Sequence, residues 1–174
     1  MWTVAEGGGR GRHGRVVIGI GNPDRGADGV GPCVVRLLRD CAPADVRVLE
    51  SSDASDVIAC LEAAEVAYLV DASVSGAPAG TIRRIDCRLG ALPQGRSQTS
   101  THGFGPAEAI ELARALGQLP PQCVVYAIEA DSVGTGEPLS GAMRRAAEQV
   151  TERIVAELAV DDSSETAAAN LEGL

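Results

Sequence analysis

Residues 16–31 read VVIGIGNPDRGADGVG. Positions 16–20 are apolar or glycine without polar alternation, the pattern of a strand buried on both faces. The strand breaks at Gly21-Asn22-Pro23 and gives way to a glycine-rich loop that carries an acid, Asp28. A helical stripe follows in Val30, Val34, Leu37, Leu38 and Cys41, with Pro32 suited to the first turn. A strand that delivers a polar loop to a helix start is where an open α/β sheet builds its site.

The rest of the chain repeats the alternation. Residues 45–50 read as a second strand, and Ser52 or Asp53 caps a short helix with Val57, Leu61 and Ala64 on its stripe. The run 66–70, VAYLV, is a third strand, buried on both faces and ending on Asp71. Residues 81–87 scatter three charges among Ile82 and Ile85, which suits an edge strand. No helix separates this strand from the third, so it is expected to run antiparallel. Residues 88–101 form a loop that leads to His102. A helix then starts with Pro106 at its first position and Glu108 two further on, buries Ala109, Ile110, Ala113 and Leu116, and stops at Gly117. Residues 123–128 are a fifth strand with Glu129 at its end. Ser140 caps a last helix striped by Met143, Ala147, Val150, Ile154 and Leu158. Residues 1–14 are expected to be a disordered leader, 161–174 a disordered acidic tail, and 15–160 one domain. The order β-α-β-α-β-β-α-β-α implies an α/β fold with a mostly parallel, doubly wound sheet, helices on both faces and one antiparallel edge.

Bulk composition narrows the partners. The net charge of -9 over 174 residues repels a phosphate backbone or an anionic membrane surface. No run approaches the roughly 20 apolar residues that span a bilayer. The five cysteines are widely spaced without a C-x-x-C, which argues against a disulfide framework or a zinc knuckle and for a reducing, cytoplasmic setting. A nucleophilic cysteine stays open on that count. Oligomeric state has no clear signature, and a monomer is expected.

In a doubly wound sheet, ligands collect beyond the carboxyl ends of the strands at the switch in strand order. If the first strand lies between the second and third, Asp28 and Asp71 share one rim. His102 is the only histidine outside the leader. Two carboxylates and an imidazole from three loops would make an open transition-metal site. Plainer roles stand beside this: Asp28 as a helix cap, Asp71 capping the turn after its strand, His102 bonding locally. Nucleotide binding is disfavoured. The glycines do not fit G-x-G-x-x-G, there is no G-K-[ST], and Asp24 and Asp28 would repel a phosphate.

Four blocks taken together carry a family resemblance: GIGNPDRGADGVG at 19–31, YLVDAS at 68–73, STHGFG at 100–105 and VVYAIEADSVGTGEPLS at 124–140. In this order the chain resembles the endopeptidases that mature nickel-iron hydrogenases by clipping the C-terminal extension of the large-subunit precursor. The resemblance runs from Arg15 to about Leu158 and implies a twisted five-stranded sheet between helices. It implies that Asp28, Asp71 and His102 are the metal-binding and catalytic residues. It also implies a cytoplasmic protease that acts once nickel, carried by the substrate's own active site, is in place, with no nucleotide cofactor. Glu129, on the same rim, is a further candidate with a structural role expected. Two departures stand out: Ala27 replaces the first of an acidic pair, and Glu50-Ser51-Ser52-Asp53 replaces glycine-rich sequence after the second strand. They keep a second reading in view, a non-catalytic metal-dependent binder or chaperone of the same precursor.

Overall fold

The alternating runs fold into β1 (Arg15–Ile20), α1 (Val30–Leu38), β2 (Val46–Ser51), α2 (Ala54–Ala63), β3 (Val66–Ser73), β4 (Ile82–Asp86), α3 (Pro106–Ala115), β5 (Gln122–Glu129) and α4 (Gly141–Leu171). The structure, a computed structural model, describes residues 14–24, 26–90, 106–131 and 138–171. The expected leader, apart from Gly14, lies outside the described residues. So does His102.

The strand order is β2-β1-β3-β5-β4. The four strands β2, β1, β3 and β5 are mutually parallel, and β4 runs antiparallel on the outer edge. The expected antiparallel edge is therefore present, but its partner is β5, which is inserted between β4 and β3. From β1 the chain passes to one side to form β2, then returns to the other side for β3. The β1/β3 junction is thus the switch point.

Strand periodicity decides the two layers. Val17, Tyr68, Val70, Val124, Tyr126 and Ile128 face one way and pack with α1 and α4. Val16, Ile18, Ala67, Leu69, Cys123 and Val125 face the other way and pack with α2 and α3. Every strand residue named here is buried, which is why β1, β3 and β5 read as unbroken apolar runs.

The α4 stripe of Met143, Ala147, Val150, Ile154 and Leu158 is fully buried, as its spacing requires. On α1 the stripe is rotated from expectation. Val30, Val34, Val35 and Leu38 are buried, whereas Leu37 is partly exposed and Cys41 lies outside. The helix is covered on two sides, by β1 and by α4, so its buried face turns toward Val35. Leu116 falls after the end of α3 and is exposed.

Two boundaries move. Asp71 does not end its strand: β3 continues to Ser73, because β5 goes on pairing with it through Asp71↔Ala127 to Ser73↔Glu129. The backbone of α4 stays helical to Leu171, past the start of the expected disordered tail at Asp161. Ala167, Ala168 and Ala169 are strong helix formers and extend a helix already nucleated by packing.

Polar groups tie α4 to the sheet edge. Arg84 on β4 donates from Nε and NH2 to the two oxygens of Glu157 on α4, at 2.9 and 2.8 Å. The Tyr126 hydroxyl donates to the same carboxylate at 2.5 Å. Burial pushes the Glu157 pKa up, but the donors from Arg84 and Tyr126 outweigh it and leave it below the usual carboxylate value. Burial, then the bond to Glu157, pushes Tyr126 up to about 12.

The native Glu157 pKa is depressed, so its stabilisation is complete above the unfolded value near about 4.3 and fades as pH falls through the native value. Glu157→Gln is expected to lower stability by about 2 kcal/mol at pH 7. In urea unfolding followed by circular dichroism, the gap to the parent should shrink below about pH 4. A gap of constant size between pH 7 and 3 would contradict this account of the network.

Candidate active site at the strand switch point

Two carboxylates are delivered to the switch by different means. Asp28 sits in a single 3-10 turn, Gly26–Gly29, between β1 and α1. Asp71 sits in β3 one residue past the last β1–β3 pairing, Gly19↔Val70, where β1 no longer covers that side of β3. The 3-10 turn packs on β3 as well as on α1. Both side chains are buried, with Asp28 only 6% and Asp71 8% exposed.

Asp28 is not a helix cap. The cap residue of α1 is Gly29, and no side chain bonds the first turn. The Asp28 Oδ2 instead accepts from the backbone N–H of Asn22 at 3.0 Å, across the loop. Asn22 is fixed in turn, because its Oδ1 accepts from Asp24 N at 2.9 Å. Asp71 Oδ1 accepts from the adjacent Ala72 N at 2.8 Å. Its strand continues, so it does not serve the turn-capping role that a strand end would give it.

Glycines bring these acids to the crevice. A Cβ on Gly31 would lie 2.3 Å from Ile20 O and 2.6 Å from Val70 O, both backbone atoms. A Cβ on Gly19 would lie 2.3 Å from Gly31 O. The start of α1 therefore rests directly on the backbones of β1 and β3. Gly21 has φ +130, and a Cβ there would fall 1.9 Å from Asp28 O. The Gly21 N–H also donates to Ser51 O at 3.2 Å, tying the loop to the end of β2.

The serine-rich departure after β2 has a local role. Asp53 caps α2 by accepting from Ser55 N at 2.7 Å, and Ser51 Oγ bonds the Asp53 backbone at 3.1 Å in both directions. Ala27 packs against the core layer of α1 and α4.

The third residue singled out, His102, lies outside the described residues. Its neighbour in sequence does have a placed end. Arg114, near the C-terminus of α3, bonds Gly90 O at 3.0 Å, and Arg88 bonds Pro121 O just before β5. The C-terminus of α3 thus lies at the amino end of β5, and its start, Pro106, is directed toward the carboxyl rim. Among the described residues no three acid, histidine or cysteine side chains gather as a metal site.

Glu129, a further candidate with a structural role expected, is one of the most heavily bonded groups on the rim. It is 2% exposed and accepts from Ser73 Oγ, Ser75 N, Ser75 Oγ, Gly76 N and Ala77 N. Burial alone pushes its pKa up; the Ser75, Ser73 and Gly76 donors more than reverse this, and the net direction is down. The sequence signal was its position at a strand end, but its donors sit at the last residue of β3 and in a following loop of small residues with no local motif. All five cysteines are free thiols.

The hydrogenase maturation protease family model matches residues 33–157, a span that includes Asp71, His102 and Glu129 but begins after Asp28. Among solved structures, the chain is similar to the hydrogenase maturating endopeptidase HybD from E. coli. The TM-score is 0.71 at 19% identity, over 86% of this chain and 94% of that one. It is also similar to the NiFe hydrogenase maturation protease HycI from Thermococcus kodakarensis. That match has a TM-score of 0.61 at 28% identity, over 83% of this chain and 92% of that one. A structure of the hydrogenase 3 maturation protease aligns with a TM-score of 0.63 at 24% identity, over 80% and 88% of the two chains. No curated protein sequence matches the chain.

Gly21→Ala combines a disfavoured φ with a backbone collision at Asp28, and is expected to destabilise the chain by about 3 kcal/mol. Thermal unfolding of the variant should show a drop of several degrees. An unchanged midpoint would mean that the loop seats Asp28 in some other way.

Proposed function

The chain belongs to the hydrogenase maturation protease family, and we propose that it removes the C-terminal extension of a nickel-iron hydrogenase large-subunit precursor after nickel insertion. Members of this family are peptide hydrolases, and this chain is an enzyme of that class. The observation that carries the finer reading is the pair of buried carboxylates, Asp28 in the turn after β1 and Asp71 on β3, both at the β1/β3 switch point. The direction of α3 supports His102 as the third member, because Pro106 follows it by four residues and starts the helix toward that rim.

The donor set fits the metal. Two carboxylates and one imidazole suit a borderline divalent ion such as Ni²⁺ and leave coordination positions for groups of the precursor. Asp28, Asp71 and His102 would hold the ion, which in this reading arrives as part of the substrate's own nickel centre. When bound, it supplies a tether for the precursor and a Lewis acid at the scissile carbonyl. The chain's own residues do the rest. Asn22 N–H holds one oxygen of Asp28 and so orients the carboxylate. Gly19, Gly21 and Gly31 let the backbones of β1, the first loop and the start of α1 approach closely enough to seat Asp28 at the rim.

The partner is thus the large-subunit precursor. In this reading the chain acts on it as a monomer. In this reading the setting is cytoplasmic, as the wide spacing of the five cysteines suggests. Among the described residues no helix is long and apolar enough to cross a membrane.

The test is cleavage of purified precursors. A nickel-loaded precursor should yield a shortened large subunit, and the nickel-free precursor should not. Asp71→Asn and His102→Ala should each slow the reaction by roughly 100-fold or more. Failure to shorten the precursor of every hydrogenase of the host would overturn the reading in favour of a binder or chaperone. Wild-type rates in both variants would overturn the site assignment.

A further inference from the structure

The loop after β3 folds around an anion that the chain itself provides. The N–H groups of Ser75, Gly76 and Ala77 all point at Glu129 Oε1, at 2.5, 2.8 and 3.2 Å. Ser73 and Ser75 hydroxyls donate to Oε2 at 2.8 and 2.9 Å. Three successive backbone N–H groups converging on one oxygen form a nest, the arrangement that proteins offer to phosphate and other anions. Here the occupant is a carboxylate from the end of the neighbouring strand.

The backbone of Glu129 closes the other end of the same loop. Its N–H donates to Thr81 O at 2.9 Å, and its carbonyl accepts from Gly80 N at 2.8 Å. Gly80 in turn lies against α4, where a Cβ would be 2.8 Å from Ala142 O. One residue therefore fixes residues 73–81 along their length. That segment begins two residues after Asp71, in direct register with Glu129 through Ser73.

Five donors fill the lone pairs of a carboxylate, so Glu129 has no vacant site with which to ligate a metal. We infer that Glu129 is a positioning residue for precursor cleavage: it holds the loop that borders the crevice, and with it the end of β3 that carries Asp71. The inference rests on the proposed function for its catalytic readout, and on the nest alone for its binding readout. Misplacing a reacting group by an ångström costs on the order of 100-fold in rate, so a loosened loop should be felt in turnover more than in substrate affinity.

Glu129→Ala empties the nest, and formate is small enough to refill it. With nickel-loaded precursor, the variant is expected to lose about 10–100-fold in kcat with a smaller change in KM. High millimolar formate should restore several-fold of that loss in a saturable manner, leaving the parent enzyme unaffected, whereas chloride at equal ionic strength should restore none. Formate should also raise the thermal midpoint of Glu129→Ala but not that of the parent. That second readout stands even if no precursor is cleaved, which separates failure of this inference from failure of the functional reading. Where Glu129→Ala does not fold, Glu129→Gln replaces it, with a smaller expected loss in kcat, because its amide oxygen still accepts from the N–H groups while its NH2 cannot accept from the serine hydroxyls. A wild-type kcat in the folded variant, or a Glu129→Ala loss that formate restores neither in rate nor in thermal midpoint, overturns the inference.

Discussion

The structure depends on one close approach of backbones. At Gly19 and Gly31 the beginning of α1 lies against β1 and β3 with no space for even a methyl group, the intruding atoms being carbonyl oxygens and main-chain nitrogen that have nowhere to move. This seats the first loop in the crevice at the strand switch. Everything that makes the crevice chemically distinctive follows from that seat: the Asp28 carboxylate held by Asn22 N–H, the proximity of its turn to β3, and the uncovered side of β3 at Asp71. The burial of two acids here is costly in an apolar fold unless hydrogen bonds or a cation compensate. In the proposed reading these two buried acids, at the place where α/β sheets bind ligands, serve an ion or a charged group.

Support comes from the second loop. Glu129 does for the loop after β3 what glycine contact does for the loop after β1, by a different physical means. One wall is fixed by steric contact between main chains, the other by a buried carboxylate that collects otherwise unpaired N–H groups. A further polar network, Arg84 with Glu157 and Tyr126, joins α4 to the sheet and braces the antiparallel edge. Its role is to satisfy the hydroxyl of a tyrosine that the core needs for bulk, in a chain that has one phenylalanine and one tryptophan.

How far the sequence could be read follows from how local each cause is. Apolar runs marked β1, β3 and β5 because those strands are buried on both faces, scattered charges marked β4 as an edge, and the switch point followed once β1 was taken to lie between β2 and β3. Asp28 and Asp71 were legible as rim acids for the same reason. The true end of β3 was not, because Asp71 to Ser73 are held in the strand by pairing with β5, more than fifty residues later in the chain. The rotation of α1 toward Val35 was hidden because Gly19, in another element, decides which face can approach. The anchoring role of Glu129 was out of reach for a related reason: its partners are mostly main-chain N–H groups, which leave no trace in residue type.

The central claim is that Asp28, Asp71 and His102 share one divalent ion. X-ray absorption at the nickel edge, on the full chain loaded with Ni²⁺, tests it most directly. The account predicts about one nickel per chain with oxygen ligands and a single imidazole, and loss of the imidazole signal in His102→Ala with loss of binding in Asp28→Asn and in Asp71→Asn. Nickel bound with an unchanged coordination shell in all three variants would contradict it.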